Sequence, residues 1–350
     1  MTKTLAYAAA TAHAPLAPHW IDRREPGAED VLLDILYCGV CHSDLSQVRD
    51  EWGGGLFPMV PGHEIVGRVA RVGERVTRVK VGDLAAVGTV VDSCRDCETC
   101  RRDLEQFCEK GSALTYNGTE MDRKTPTQGG YSSRIVVAEH FTYKVPDGLE
   151  PAAVAPLLCA GITTYAPLRH WGAGPGKKVA VVGLGGLGHM AVKLAHAMGA
   201  EVTVLSQSLG KKEDGLRLGA DHYFATKDPE TFKALAGTFD LIVNTVSAKI
   251  DLDAYLSLLA LDGALVNVGA PSEPLSVNVF SLIMTRRSFA GSLIGGIRQT
   301  QEMLDFCAQH HLGADIEVIP ASRINEAYER VLASEVRYRF VIDTSTLKQS

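Results

Sequence analysis

Apolar residues along this chain follow two rhythms in succession. Between about residue 28 and residue 145 they come as short runs rich in β-branched residues, at Val31–Leu36, Ile65–Val72, Leu84–Val91 and Ser133–Val137, punctuated by Gly and Pro. Runs of this length bounded by turn residues predict strands, and their uneven spacing predicts an irregular, mostly β domain. After Pro151 strands alternate with helical stretches: a strand at Lys178–Val182, a helix over Gly186–Met198, then strands at Glu201–Leu205, Asp240–Val246 and Ala264–Val268. That is the rhythm of a doubly wound parallel sheet, a Rossmann-type α/β domain. Beyond about Ile294 the spacing predicts an amphipathic helix over Thr300–His310 and strands at Ile316–Pro320 and Phe340–Asp343, which could complete either domain. No internal repeat or low-complexity segment interrupts the pattern.

A chain of 350 residues is long for a single core, so two domains are expected. Hydrophobic residues are 46% and charged residues 22%, as in soluble globular proteins. No apolar run approaches the ~18–20 residues that span a bilayer. The Ala-rich start, Met1–Trp20, is interrupted by Thr, His, Pro and Tyr and has no basic stretch leading into an apolar one. No secretory signal is read there, and a cytoplasmic protein is expected. The net charge of −6, with Lys and Arg dispersed, gives no electrostatic footprint for nucleic acid or anionic lipid, so neither is expected as a partner.

The eight cysteines change the picture most. Cys94, Cys97, Cys100 and Cys108 form a C-x2-C-x2-C-x7-C cluster among Arg95, Asp96, Arg101 and Arg102, which does not resemble core packing. Four thiolates fill a tetrahedral Zn²⁺ shell and leave no position for a substrate, so this reads as a structural zinc site. Iron–sulfur or redox chemistry is the competing reading, but such clusters use other spacings. Cys41 and Cys159 stand alone in apolar surroundings on either side of the cluster, with Gly62-His63-Glu64 between them. Two thiolates and an imidazole would leave a fourth position open, as catalytic zinc requires. Taken singly, Cys159 in Pro156-Leu-Leu-Cys-Ala-Gly161 reads as core. Cys38 and Cys307 read as buried small hydrophobes.

Gly183-Leu-Gly185-Gly186-Leu187-Gly188 places G-x-G-x-x-G directly after a strand and at the mouth of a helix. There the glycines permit a tight turn and close approach of a dinucleotide pyrophosphate to the helix N-terminus. An NAD site wants Asp or Glu about 20 residues after the first glycine. This chain has Leu205-Ser206-Gln207-Ser208-Leu209-Gly210-Lys211-Lys212 there. Hydroxyls and cations without an acid suit a 2′-phosphate, so NADP(H) is expected; the competing reading makes the two lysines a solvated helix start.

Gly62-His63-Glu64-x2-Gly67-x5-Gly73-x2-Val76 fits the signature of zinc-containing medium-chain alcohol dehydrogenases. Cys38–Asp44, the four-cysteine loop, Cys159–Tyr165 and Gly183–Gly188 follow in that family's order, and the resemblance covers essentially the whole chain. Asn244–Ala248, Gly291–Gly296 and Val336–Phe340 resemble the cinnamyl alcohol dehydrogenase branch with its bacterial aldehyde reductases. The resemblance implies a GroES-like catalytic domain from residues 1–150 and 294–350, a Rossmann domain from 151–293, an active site in the cleft, and a homodimer. It implies that Cys41, His63 and Cys159 hold the catalytic zinc with Glu64 as transient ligand, that Asp44 orients His63, and that Ser43 starts the proton relay. It further implies that His42 and Arg337 meet the pyrophosphate and that Thr163 packs near the nicotinamide. Ser206, Gln207, Ser208 and Lys211 would surround the 2′-phosphate, with Thr245, Val268, Gly269, Ser292 and Ile294 as further coenzyme contacts.

Trp52, Leu56 and Val90 fall where the resemblance places substrate-facing residues, and their apolar character suits aromatic or medium-length aliphatic aldehydes; core packing explains Leu56 and Val90 equally well. Two positions depart from the pattern: Ser46 stands where many relatives have the His that ends the proton relay, and Asn244 where the branch commonly has Asp. The expected activity is hydride transfer between NADP(H) and a primary alcohol or aldehyde. Reduction is the expected direction, since cellular NADP is kept reduced. A polyol dehydrogenase is the alternative enzyme, and a non-catalytic zinc-stabilised dinucleotide-binding protein the alternative from another class.

Overall fold

The computed structural model describes residues 1–271 and 273–348. The chain divides into two compact units, Met1–Cys159 with Gly295–Ser350, and Ala160–Ile294. The first boundary lies at Cys159 rather than at residue 150, because Pro151–Val154 and Ala155–Leu158 pack on strands of the first unit.

The 11-residue strand Asp30–Val40 organises the first unit. It pairs antiparallel with Ile65–Val72, with Arg134–Ala138 and, near its end, with Arg339–Asp343. Arg339–Asp343 in turn pairs parallel with Ile316–Pro320, so the two strands that could have joined either domain complete this one. The strand expected over Leu84–Val91 is two strands, Leu84–Val87 and Val90–Asp92, which belong to different sheets. The Ala-rich start forms an antiparallel pair, Thr2–Ala8 with Ala17–Arg23, that the apolar pattern did not reveal.

The second unit is a six-stranded parallel sheet. Its order is His222–Ala225, Glu201–Ser206, Lys178–Val182, Phe239–Asn244, Leu259–Asn267 and Ser288–Gly291. In sequence rank this is 3-2-1-4-5-6, the doubly wound order of dinucleotide-binding folds, in which ligands meet the C-terminal ends of the strands. Val182, Leu205, Phe239, Ile242, Leu256, Leu259 and Leu265 form its core. Val182 lies opposite Asn244, Asn244 opposite Asn267, and Asn267 opposite Gly291, so the strand ends stand in one row. Among the described residues no single helix is long and apolar enough to cross a membrane.

Candidate active site

Three distant segments of the first unit converge on one point. Cys41 caps the helix His42–Val48, His63 precedes the strand Ile65–Val72, and Cys159 ends the turn Ala155–Leu158. One ligand atom from each of Cys41, His63, Glu64 and Cys159 lies within 4.8 Å of the others, and all four residues are buried. Cys41 Sγ and Cys159 Sγ are 3.7 Å apart. Zn–S bonds of ~2.3 Å at a tetrahedral angle require about 3.8 Å between sulfurs, so the donor set fits zinc.

Asp44 fixes this arrangement from behind. It is the third residue of the helix His42–Val48, and its Oδ2 accepts the Cys41 N–H at 2.9 Å, closing the helix start. Its Oδ1 lies 3.1 Å from His63 Nδ1 and accepts the Gly62 N–H at 3.1 Å. Tyr131 adds its hydroxyl, donating to Asp44 Oδ2 at 3.3 Å. With Nδ1 turned to the carboxylate, Nε2 is the His63 nitrogen left for a metal. Burial alone would lower the His63 imidazole, but Asp44 more than offsets it and holds the ring well above its ordinary value. The hydrogen bond with Cys159 chiefly holds the Cys41 thiol well below its ordinary value.

Glu64 is fully buried and forms an ion pair with Arg339, a partner that the sequence had not disclosed. Burial pushes its carboxyl up to about 8 against the opposing pull of Arg339. Among the described residues Glu64 Oε2 has no hydrogen-bond partner, an orphaned buried polar atom in a group of metal donors. Ser43 is half-buried, His42 and Arg337 are exposed, and Ser46 is buried. Trp52 and Leu56 are exposed, whereas Val90 is buried opposite Leu114, in keeping with a packing role.

Cys94, Cys97, Cys100 and Cys108 gather separately into a second group of donors. Cys94 Sγ and Cys100 Sγ are 3.9 Å apart, again a tetrahedral edge. Backbone N–H groups of Cys97, Cys94 and Glu109 point at the sulfurs of Cys94, Cys108 and Cys97 at 3.3–3.5 Å. The Thr99 hydroxyl, with backbone N–H groups, brings the Cys97 thiol down to about 6, which suits a thiolate site.

In the second unit the glycine motif has three separate roles. Gly183 turns the chain at φ +89°, a conformation that favours glycine. A Cβ on Gly188 would lie 2.1 Å from the Gly183 carbonyl, so the helix Gly186–Ala197 approaches its strand this closely only without a side chain. A Cβ on Gly185 would meet nothing within 4 Å among the described residues, so the space at the helix N-terminus is open. Gly186 and Leu187 open that helix.

Ser206 ends its strand, and Gln207 and Ser208 are exposed in the turn after it. Lys211 Nζ reaches back 3.0 Å to the Leu184 carbonyl, which ties that turn to the glycine loop. Asn244 has a physical role. Its Nδ2 donates to Asn267 Oδ1 at 2.6 Å, and Asn267 Nδ2 donates to the Gly269 carbonyl at 2.6 Å. The Val268 and Gly269 N–H groups bond the Asn244 carbonyl, and Thr245 Oγ1 bonds the Val182 carbonyl. Asp at 244 would lack the amide donor. Thr163 is buried in the helix Ala160–His170, and Ser292 and Ile294 follow the strand Ser288–Gly291.

Comparison with known proteins accords with this geometry. Residues 27–147 match the alcohol dehydrogenase GroES-like domain, and residues 186–309 match the zinc-binding dehydrogenase family. The chain is 62% identical over 327 residues to a probable formaldehyde dehydrogenase of Bacillus subtilis, covering 93% of each. It is 61% identical to an NADP-dependent alcohol dehydrogenase C of Mycolicibacterium smegmatis, over 99% of this chain and 100% of that one. The crystal structure of a cinnamyl alcohol dehydrogenase from Helicobacter pylori complexed with NADP(H) superposes with a TM-score of 0.93 at 40% identity, covering 99% of both chains. The chain belongs to the zinc-containing medium-chain alcohol dehydrogenases, in their cinnamyl alcohol dehydrogenase-like branch.

Proposed function

We propose that this enzyme transfers hydride between NADP(H) and primary alcohols and aldehydes, and acts chiefly as a reductase of aromatic or medium-length aliphatic aldehydes. The convergence of Cys41, His63 and Cys159 on one point, with Asp44 behind the imidazole, carries the reading. Zinc held there supplies Lewis acidity toward the substrate oxygen, and the reduced nicotinamide supplies the hydride. Asp44 keeps His63 in the tautomer and orientation that ligation requires. Arg339 balances Glu64 inside the site, where an unpaired carboxylate would be costly. Ser43 hands a proton to the substrate oxygen and is resupplied from solvent, since Ser46 carries no titratable group. In the second unit Gly185 and the helix N-terminus receive the pyrophosphate. Ser206, Gln207, Ser208 and Lys211 take the 2′-phosphate. Thr163, Thr245, Val268, Gly269, Ser292 and Ile294 line the coenzyme, while Trp52 and Leu56 face the substrate.

Loss of reduced-nicotinamide absorbance with cinnamaldehyde, run in parallel with NADPH and NADH, tests the reading. Consumption with NADPH alone is expected. Preference for NADH would overturn the assignment of Ser206–Lys211, and silence with both across several aldehydes would overturn the activity.

We further propose a homodimer in the cytoplasm. Val279, Phe280, Ile283 and Met284 are all more than half exposed, and they come shortly before the sheet-edge strand Ser288–Gly291, where Phe289 is also exposed. Exposed apolar side chains close in sequence to a sheet-edge strand favour association with a second copy. Thiols kept for metal ligation fit a reducing compartment, and fractionation of cells expressing the protein tests this.

A further inference from the structure

The stretch that joins the two units is held from inside the four-cysteine loop. Between the third and fourth cysteines, Glu105 is 1% exposed and both of its oxygens are engaged. Oε2 accepts the Ile297 N–H at 3.0 Å, and Oε1 lies 3.0 Å from His140 Nε2. Ile297 opens the helix Ile297–Gln309, so its N–H is among those that no helical carbonyl can satisfy. Asp103, from the same loop, grips the residues on either side. A Cβ on Gly296 would lie 1.7 Å from the Asp103 carbonyl, and Arg298 Nε donates to Asp103 Oδ2 at 2.8 Å.

Immediately upstream, Ile294 has φ +36°, a left-handed conformation that a β-branched residue adopts only under constraint. Such strain persists where neighbouring contacts over-determine the backbone. Glu105 and Asp103 provide contacts of that kind two and three residues away, and nothing in the hydride chemistry otherwise uses the buried Glu105.

We propose that Glu105 is a positioning residue for the coenzyme: by fixing the Ile297 N–H it fixes the backbone of Ser292–Ile294, so the four-cysteine loop governs NADPH affinity as well as stability. The inference rests on the reading of Ser292 and Ile294 as coenzyme contacts.

Glu105→Gln removes the charge and leaves one acceptor oxygen beside an amide donor, so the bond to the Ile297 N–H loses its charge assistance. Ile297→Pro breaks the same bond from the other side. Proline is tolerated at the first position of a helix, and Gly296 already has the extended φ −72°, ψ 173° that precedes proline. Equilibrium titration with NADPH in the absence of aldehyde is expected to show the dissociation constant of each variant raised about tenfold. Zinc content and kcat at saturating NADPH are expected to stay at wild-type levels, with the melting temperature lowered by no more than a few degrees. The double variant is expected to bind no more weakly than either single one, because both remove one interaction. Glu302→Gln, an exposed change on the same helix, is expected to leave binding unchanged.

Wild-type NADPH affinity in Glu105→Gln, additive losses in the double variant, or weakening that tracks zinc loss would overturn the proposal. Should Glu105→Gln fail to fold, the Ile297→Pro titration decides alone. A wild-type protein that does not bind NADPH would overturn the coenzyme reading together with this one, whereas wild-type binding with unchanged variants overturns this one only.

Discussion

At the scale of single residues the site depends on groups that serve two purposes. Asp44 both closes a helix start and holds the Nδ1 side of His63, so its loss would disturb a backbone turn and a metal ligand together. Cys159 has a simpler position, since its thiol meets Cys41 across the donor group. Cys159→Ala is expected to abolish aldehyde reduction while NADPH binding stays measurable by titration; retained turnover would remove the catalytic-zinc assignment. The sequence revealed these residues unequally. Four cysteines within fifteen positions announce a metal by spacing alone. Cys41, His63 and Cys159 are scattered over 119 residues, and only the fold brings them together. Arg339 and Glu105 stayed hidden because charged residues are ordinarily solvated, and nothing local tells that a particular one is buried against a specific partner.

At the scale of elements, strands with a clear β-branched pattern fell close to their expected places, and errors came where local signals conflict. Gly88 and Thr89 separate two strands that read as one run. The helix expected from Thr300 begins at Ile297, because Gly296 and not an apolar period sets its start. The helix Ala160–His170 escaped notice because nearly all of it is buried, leaving no polar face to give a period.

The start of the strand Asp30–Val40 also carries a pH dependence. Asp30 accepts from the Gly27 N–H at 2.6 Å and pairs with Arg24. Burial acts to raise its carboxyl, but Arg24 and Gly27 outweigh burial and hold it below its ordinary value. The stability it contributes is therefore present above the unfolded value of about 3.9 and is lost as pH falls through the lower folded value. Asp30→Asn is expected to cost about 1–2 kcal/mol at pH 7, with the difference from wild type shrinking toward pH ~3. Urea unfolding at several pH values measures this; a constant difference would contradict it.

At the scale of the whole molecule, both ends of the chain are needed for the first unit. Arg339–Asp343 pairs with Asp30–Val40 although about three hundred residues separate them, so the unit closes only after the last strands are made. The apolar surface around Phe280 and Met284 belongs to the second unit. Met284→Glu places a charge there and is expected to shift the protein from dimer to monomer in light scattering, with the fold retained by circular dichroism. A wild-type monomer would end that proposal.

The row of strand ends at Val182, Asn244, Asn267 and Gly291 is locked by ladder register and by the Asn244–Asn267 amide bond. The turn from Gln207 to Lys211 lies beyond that row and contributes almost no buried side chain to the core. Natural variation can therefore rewrite one without disturbing the other. On the proposed reading of that turn as the 2′-phosphate site, a lineage can drift between the two coenzyme pools of a cell by substitutions in a few exposed positions while the sheet beneath keeps its sequence.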